Sequence, residues 1–197
     1  MLILKIRRRL ALVAILIVQK LRIAWYFLLS TNRVSGHPVL HQPLQAAGAG
    51  VISFESSVRL GVFPSPGFLD SYAYIEARSP NAMVTLGAGT WVNNGFRCIA
   101  EHSSIRIGRG CLIGANVEIL DSDFHGIAPA ERGISKPEWA APVVVEDNVF
   151  IGSNVRILKG VRIGAGAVIA NSAVVIADIP PMVVAAGIPA KVIRPIA

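Results

Sequence analysis

Four side chains are suited to moving a proton near neutral pH: His37, His41, His102 and His125. An unperturbed imidazole has a pKa of about 6.5 and serves there as a general base. His37 and His41 lie in a polar, proline-containing stretch that follows an apolar leader. His102 falls within a regular repeat and suits a surface position. His125 closes the stretch DSDFH (121–125), where a six-residue rhythm stops for about two dozen residues. A histidine at that lip is placed by ordered chain on one side and borders an extruded loop on the other. From the residues alone, His125 reads as a base or as a solvated loop side chain, and both stand. Asp123 shares an extended segment with it and suits an acceptor contact, an imidazole partner or a turn.

The rhythm that positions His125 is clearest after the gap. From Val145 the chain runs VEDNVF IGSNVR ILKGVR IGAGAV IANSAV VIADIP. The first position of each six is Val145, Ile151, Ile157, Ile163, Ile169 and Val175, and the fifth is always small or aliphatic. That period fits neither a 3.6-residue helix nor strand alternation. A fixed short period marks a solenoid. Three sixes make one triangular coil, with the aliphatic pointing inward and stacking on the next coil. Ile107, Ile113 and Ile119 continue the pattern backwards, as do Leu86, Val92 and Cys98. The spacing of nine between these sets makes one coil three residues longer. The segments around Leu60 and Ile75 read as degenerate opening coils. The expected domain is a prism over 48–185 with an inserted loop at about 125–141, closed by 186–197.

Residues 1–33 hold seven basic side chains and no acid, whereas the remainder has 12 of each sign. The formal charge of +7 therefore belongs to the leader. The body offers no basic face, so nucleic acid is not an expected partner. LALVAILIV (10–18) and IAWYFLL (23–29) are separated by Lys20 and Arg22, which interrupt the roughly twenty apolar residues that a span requires. On a helical wheel Lys5, Arg8, Arg9, Lys20 and Arg22 share a broad face. Residues 1–35 are expected to form an amphipathic helix on an anionic membrane surface, facing the cytoplasm, with packing on the body or a partner subunit, and a true span, as the alternatives. Cys98 and Cys111 match no zinc or redox spacing and fall at small inward positions, so buried thiols are expected.

These residues resemble the hexapeptide-repeat acyltransferases, closest to the branch of maltose, galactoside and xenobiotic acetyltransferases and the sugar O-acetyltransferases of bacterial surface polysaccharides. The resemblance is carried by VNNGFRCIAEHSSIRIGRGCLIGANVEIL (92–120), DSDFH (121–125), PVVVEDNVFIGSNVRILKGVRIGAGAVI (142–169) and DIPPMVVAAGIPAKVIRPI (178–196). It covers about residues 84–196. The chain departs from it in having Phe150 where tryptophan is usual, Asn171 where alanine is common, and a shorter loop than the antibiotic-modifying members.

The repeat gives a mainly β fold, a triangular parallel solenoid with an extruded loop, and the resemblance implies that it is a left-handed parallel β-helix; the amphipathic N-terminal helix is read from residues 1–35 and lies outside the resemblance. The resemblance also implies homotrimers with sites between subunits, acetyl-CoA as acyl donor and no metal. His125 would be the general base, and Asn94 would hold the acceptor. The backbone N–H of Ser153 would stabilise the oxyanion. Asp123 and Trp139 become candidates for substrate contact, with a turn and a loop anchor as their plainer roles. Asn171, Lys159, Lys191 and Arg194 become candidates for coenzyme contact. The expected reaction is transfer of acetyl to a sugar hydroxyl of a surface polysaccharide or lipid-linked saccharide, with an amine or small xenobiotic as the alternative acceptor. A prism serving only as a scaffold would need neither base nor loop. A zinc-dependent prism enzyme would need three convergent histidines, and only His102 and His125 lie in the repeats.

Overall fold

A computed structural model describes residues 2–196. A helix, Leu2–Leu29, precedes a succession of short strands that form three sheets. Each sheet is one side of a triangular coil, and the strands within a side pair in parallel from coil to coil. The first face comprises Val39–Leu40, Arg59–Leu60, Trp91–Val92, Leu112–Ile113, Phe150–Ile151 and Val168–Ile169. The second comprises Leu44–Ala47, Ala73–Ala77, Arg97–Ala100, Glu118–Leu120, Arg156–Ile157 and Val174–Val175. The third comprises Val51–Phe54, Met83–Leu86, Ser104–Ile107, Val143–Val145 and Arg162–Ile163. This is the left-handed parallel β-helix.

The hexads build it as their spacing requires. Leu60, Val92, Ile113, Ile151 and Ile169 stack up the inside of the first face. Ile75, Cys98, Ile119, Ile157 and Val175 do the same on the second, and Leu86, Ile107, Val145 and Ile163 on the third. All are buried. Burying an aliphatic side chain contributes about 1.5–3 kcal/mol, so this column dominates stability. Between the first and second faces, Gly95, Asn116, Asn154 and Ser172 stack with φ of +74°, +56°, +60° and +62°. Glycine and asparagine tolerate this left-handed backbone best. A Cβ at Gly95 would lie 2.3 Å from the Asn116 amide oxygen, so this turn admits nothing larger.

The ladder departs from the expected bounds at both ends. It starts at Val39, which pairs with Arg59, ahead of residue 48. It closes with an antiparallel hairpin, Val183–Gly187 with Ala190–Pro195, so closure begins ahead of residue 186. The three extra residues between Cys98 and Ile107 bulge as Glu101–Ser103, and Asp121 accepts from the Glu101 and Ser103 N–H groups at 2.7 Å each. Two loops leave the prism. One is the expected loop after Leu120; the other, residues 61–72, separates the Leu60 and Ala73 strands.

The N-terminal helix leans on the 61–72 loop through its C-terminal half. Gln19, 4% exposed, donates to the carbonyls of His41 (2.8 Å) and Phe68 (3.1 Å). Arg22 donates to the carbonyls of Phe68 (3.0 Å) and Ser71 (2.6 Å). The Tyr26 and Tyr72 rings lie 4.6 Å apart. Arg22, expected on a face shared with the other basic residues, is therefore turned to the prism, because the loop offers it buried carbonyls. The opposite side of the helix presents Ile3, Ile6, Leu10, Val13, Ile17, Leu21 and Leu28, all exposed.

Candidate active site

The residues singled out in the sequence fall on two corners of the prism. At the first corner, where the first face turns into the second, Asn94, Ser153 and Asn171 follow the Trp91–Val92, Phe150–Ile151 and Val168–Ile169 strands, and Ala115 follows the intervening Leu112–Ile113 strand. Ala115 N–H donates to the Ser153 hydroxyl at 3.2 Å, and Ser153 N–H donates to the Asn171 amide oxygen at 2.9 Å. The corner is thus a column of backbone donors, each met by a side chain one coil above. The Ser153 N–H already holds a carbonyl oxygen at hydrogen-bonding distance. Asn94 is 1% exposed and its amide is committed to the 61–72 loop. It accepts from Val62 N–H at 3.1 Å and donates to the Val62 and Pro66 carbonyls at 3.0 Å each. Asn94 therefore shapes the corner from within; an acceptor would have to displace these bonds to reach it. Its neighbour Asn93 is half-buried and lines a cavity of about 260 Å³ with Val62, Gly114 and Phe150.

The second corner, where the second face turns into the third, carries His125 and the extruded loop. A buried acid network supports the chain leading to it. Asp121 is fully buried, and burial pushes its carboxyl above the ordinary range against the pull of its backbone donors. Glu101, 4% exposed, accepts from the Ser122 hydroxyl at 2.7 Å and from Arg78 at 3.1 Å. Burial raises the Glu101 carboxyl, but the hydroxyls of Ser122 and nearby Ser135 and the Arg78 guanidinium outweigh it and hold it below the ordinary range. The Ser122 hydroxyl also accepts from Phe124 N–H at 3.0 Å, and the Arg78 guanidinium lies 5.0 Å from the Phe124 ring centre. Phe124 adopts φ +63°, a strained conformation for an aromatic residue. Its neighbours pin it, and the exposed His125 comes next.

The loop is clamped at its base. Lys159 donates to the Asp123 carboxylate at 2.6 Å and to the Trp139 carbonyl at 2.7 Å, joining both ends. Asp123 thus pairs with Lys159 as the structure stands, and Lys159 is committed to the loop. The Trp139 ring packs over Gly126 and under Lys136, whose ammonium is 4.9 Å from the ring centre. This is the loop-anchor role for Trp139. The Ser135 hydroxyl reaches His102 at 3.4 Å, which places His102 beside the loop. Lys191 and Arg194 are exposed on the closing hairpin, which continues the first-face sheet beyond Val168–Ile169.

The two corners stand at opposite ends of the second face. The strands of the second face therefore lie between His125 and Ser153, and the two belong to different edges of the prism. The outward side chains of the faces differ. The second face shows Arg97, Glu118 and Arg156, with Arg156 and Glu118 paired at 3.2 Å. The first face shows Trp91, Leu112 and Phe150 as an unbroken row of exposed apolar groups, with Arg59 beside it, its guanidinium 5.1 Å from the Trp91 ring centre, and Val39 beyond Arg59.

Sequence reasoning missed three contributors. The 61–72 loop was signalled by Pro64, Pro66 and Gly67 within a fifteen-residue gap between Leu60 and Ile75. Glu101 and Arg78 gave no signal, because isolated charges between hexads read as solvated.

A parallel triangular prism with an extruded histidine loop defines the class of left-handed β-helix proteins. Residues 142–177 match the family model "Bacterial transferase hexapeptide (six repeats)", and residues 104–128 match "Hexapeptide repeat of succinyl-transferase". Both models describe hexapeptide-repeat transferases, and they match coils on either side of the extruded loop. The chain is 44% identical over 81 residues to the 2,3,4,5-tetrahydropyridine-2,6-dicarboxylate N-acetyltransferase of Staphylococcus aureus (strain JH9), covering 41% of this chain and 31% of that relative. The chain therefore spans about a third of the relative's length. Its fold resembles the polySia-specific acetyltransferase NeuO, with TM-score 0.58 and 27% identity over 80% of this chain and 66% of that one. It also resembles the polysialic acid O-acetyltransferase OatWY, with TM-score 0.59 and 21% identity over 83% of each chain.

Proposed function

We propose that the chain is an acetyl-CoA-dependent O-acetyltransferase acting on a sugar hydroxyl, with His125 as general base. The observation that carries this is the rigid support of an exposed histidine: Glu101, Ser122, Arg78 and Phe124 fix the chain up to His125. A base needs that fixity. His125 takes the proton from the acceptor hydroxyl while its oxygen attacks the thioester carbonyl. Negative charge gathers on the carbonyl oxygen, which the Ser153 N–H receives in place of the Asn171 amide oxygen. Collapse breaks the C–S bond, and the proton on His125 passes to the departing thiolate. Lys191 and Arg194 are the candidates for the coenzyme phosphates.

Because His125 and Ser153 sit on different corners, the site is completed by a second copy. The exposed apolar row Trp91, Leu112 and Phe150 supports association through the first face, and a trimer closes that arrangement. The N-acetyltransferase activity of the Staphylococcus aureus relative favours one alternative, an amine acceptor. Incubation with acetyl-CoA and a panel of glycosides and amino sugars tests both readings. Thiol release with a hydroxylamine-labile product supports O-acetylation; a hydroxylamine-stable product shifts the reading to N-acetylation. No thiol release above spontaneous hydrolysis refutes acetyl transfer.

We further propose that the helix lies in the plane of an anionic membrane, on the cytoplasmic side, with a lipid-linked saccharide as a fitting acceptor. The Leu2–Leu29 helix is long and apolar enough to cross a membrane. Its Gln19 and Arg22 are tied to the prism, which favours lying over spanning. The apolar stripe from Ile3 to Leu28 faces away from the prism, and Arg7, Arg9 and Lys20 flank it, exposed. Flotation with phosphatidylglycerol vesicles is expected to carry the protein upward, and Leu10→Asp with Leu21→Asp to abolish this. Flotation unaltered by the double substitution, or resistance to carbonate extraction, rejects in-plane docking.

A further inference from the structure

The 61–72 loop does more than join two faces. With the second face it encloses a cleft of about 300 Å³ lined by Asp70, Ser71, Tyr72, Tyr74, Gly95 and Arg97. The cleft opens beside the first corner, since Gly95 directly follows Asn94 and Arg97 begins the second-face strand after it. Its wall is held from two sides. Asn94 binds the start of the loop at Val62 and Pro66. Arg22 binds its end at Phe68 and Ser71, and the Tyr26 ring packs on Tyr72.

The charged groups in the cleft are left free by their neighbours. Arg97 stands between Tyr74 and Glu118 in the outward column of the second face. Glu118 pairs with Arg156 at 3.2 Å, and the Tyr74 hydroxyl donates to Glu76 at 2.9 Å. Glu76 in turn pairs with Arg78. Neither Arg97 nor Asp70 makes an ion pair among the described residues. Two phenol rings, one carboxylate and one guanidinium, preorganised around a cavity the size of a small ligand, suit a particular chemistry. Aromatic faces cover the apolar face of a pyranose, a carboxylate accepts from ring hydroxyls, and a guanidinium grips an anionic substituent through two parallel hydrogen bonds.

We propose that this cleft binds one pyranose unit carrying an anionic group, and that it is the acceptor subsite. The assignment as acceptor rests on the sugar-acetyltransfer reading above; the binding of the sugar does not. Arg97 and Asp70 would contact the sugar. Arg22 and Asn94 act only through the loop and are positioning residues.

The test compares the full-length wild type with Arg97→Gln and Asp70→Asn, both at exposed positions where folding is expected to be unaffected. Initial rates of thiol release are measured with a neutral hexoside, a sialic acid oligomer and a hexose phosphate. The carboxylate and phosphate arms identify which anion the cleft takes. Arg97→Gln is expected to raise KM for the anionic acceptor about ten- to a hundredfold. KM for the neutral hexoside should rise far less than KM for the anionic acceptor, and KM for acetyl-CoA should move less than either. If the wild type turns over but neither variant changes any acceptor KM, the subsite is wrong and the transfer reading survives. If the wild type turns over no sugar, the transfer reading fails and the cleft is judged by binding. Titration by NMR of N-acetylneuraminic acid, glucose 6-phosphate and glucose then decides. Binding of an anionic sugar that is lost in Arg97→Gln supports the cleft; binding absent, or equal in both proteins, overturns it.

Discussion

Replacing Glu101 with alanine tests whether the buried network places His125. Two bonds are lost: Ser122 Oγ to the carboxylate at 2.7 Å and Arg78 to the carboxylate at 3.1 Å. A hydrogen bond to a buried charge contributes about 1.5–3 kcal/mol. The Arg78 side chain is 43% exposed and keeps Glu76, so its share is at most about 1 kcal/mol. The expected loss is about 2–4 kcal/mol, which lowers Tm by about 5–15 °C in a chain of this size. Ser122 then loses the partner that orients it toward Phe124 N–H, and the φ of Phe124 relaxes. Displacement of a catalytic group by about 1 Å costs about a hundredfold in rate. Calorimetry and thiol-release kinetics measure the two effects. Here kcat should fall about a hundredfold with KM for acetyl-CoA little changed, because the first corner is untouched. Glu101→Gln retains an oxygen for Ser122 and should recover most of both losses. Wild-type kcat in the alanine variant, or a glutamine variant as impaired as alanine, would refute the reasoning.

The remaining predictions concern the core, the clamp, the thiols and acid. Ile157→Ala empties a site stacked between Ile119 and Val175 and should destabilise by about 2–5 kcal/mol, seen as a lower denaturation midpoint in urea. Lys159→Met should leave Tm within about 3 °C, because the Asp123 pair is partly exposed, yet speed limited proteolysis between residues 127 and 136. Burial pushes the Cys98 and Cys111 thiols up, so neither should react with a thiol reagent at neutral pH until the chain unfolds. Glu101 is held below its ordinary value, so its stabilisation is complete above that value and is lost as pH falls through the lower folded-state value. The acid side of the Tm profile should therefore flatten in Glu101→Gln.

The prism was legible because one constraint repeats: every sixth side chain must be an aliphatic that fits the column, as Ile151, Ile157 and Ile163 show. The extruded loop was legible as a break in that constraint. The 61–72 loop was not, because the opening coils around Leu60 and Ile75 are too short a run for a gap to stand out. The roles of Asn94, Asp123 and Lys159 turn on direction, which a period of six leaves open. Asn94 points into the corner, and Asp123 and Lys159 point at one another. The helix shows the same limit. Its wheel groups Arg22 with other basic residues, but the carbonyls of Phe68 and Ser71, distant in sequence, claim it.

The central claim is that His125 removes the acceptor proton. The most direct measurement is the turnover of acetyl-CoA with an accepting sugar by His125→Ala beside the wild type, with Tm and acetyl-CoA KM recorded on both. His125 is exposed and follows the pinned Phe124, so its loss should leave Tm and KM unchanged. It should lower kcat by about 10²–10⁴. Equal turnover by the two proteins would contradict the account.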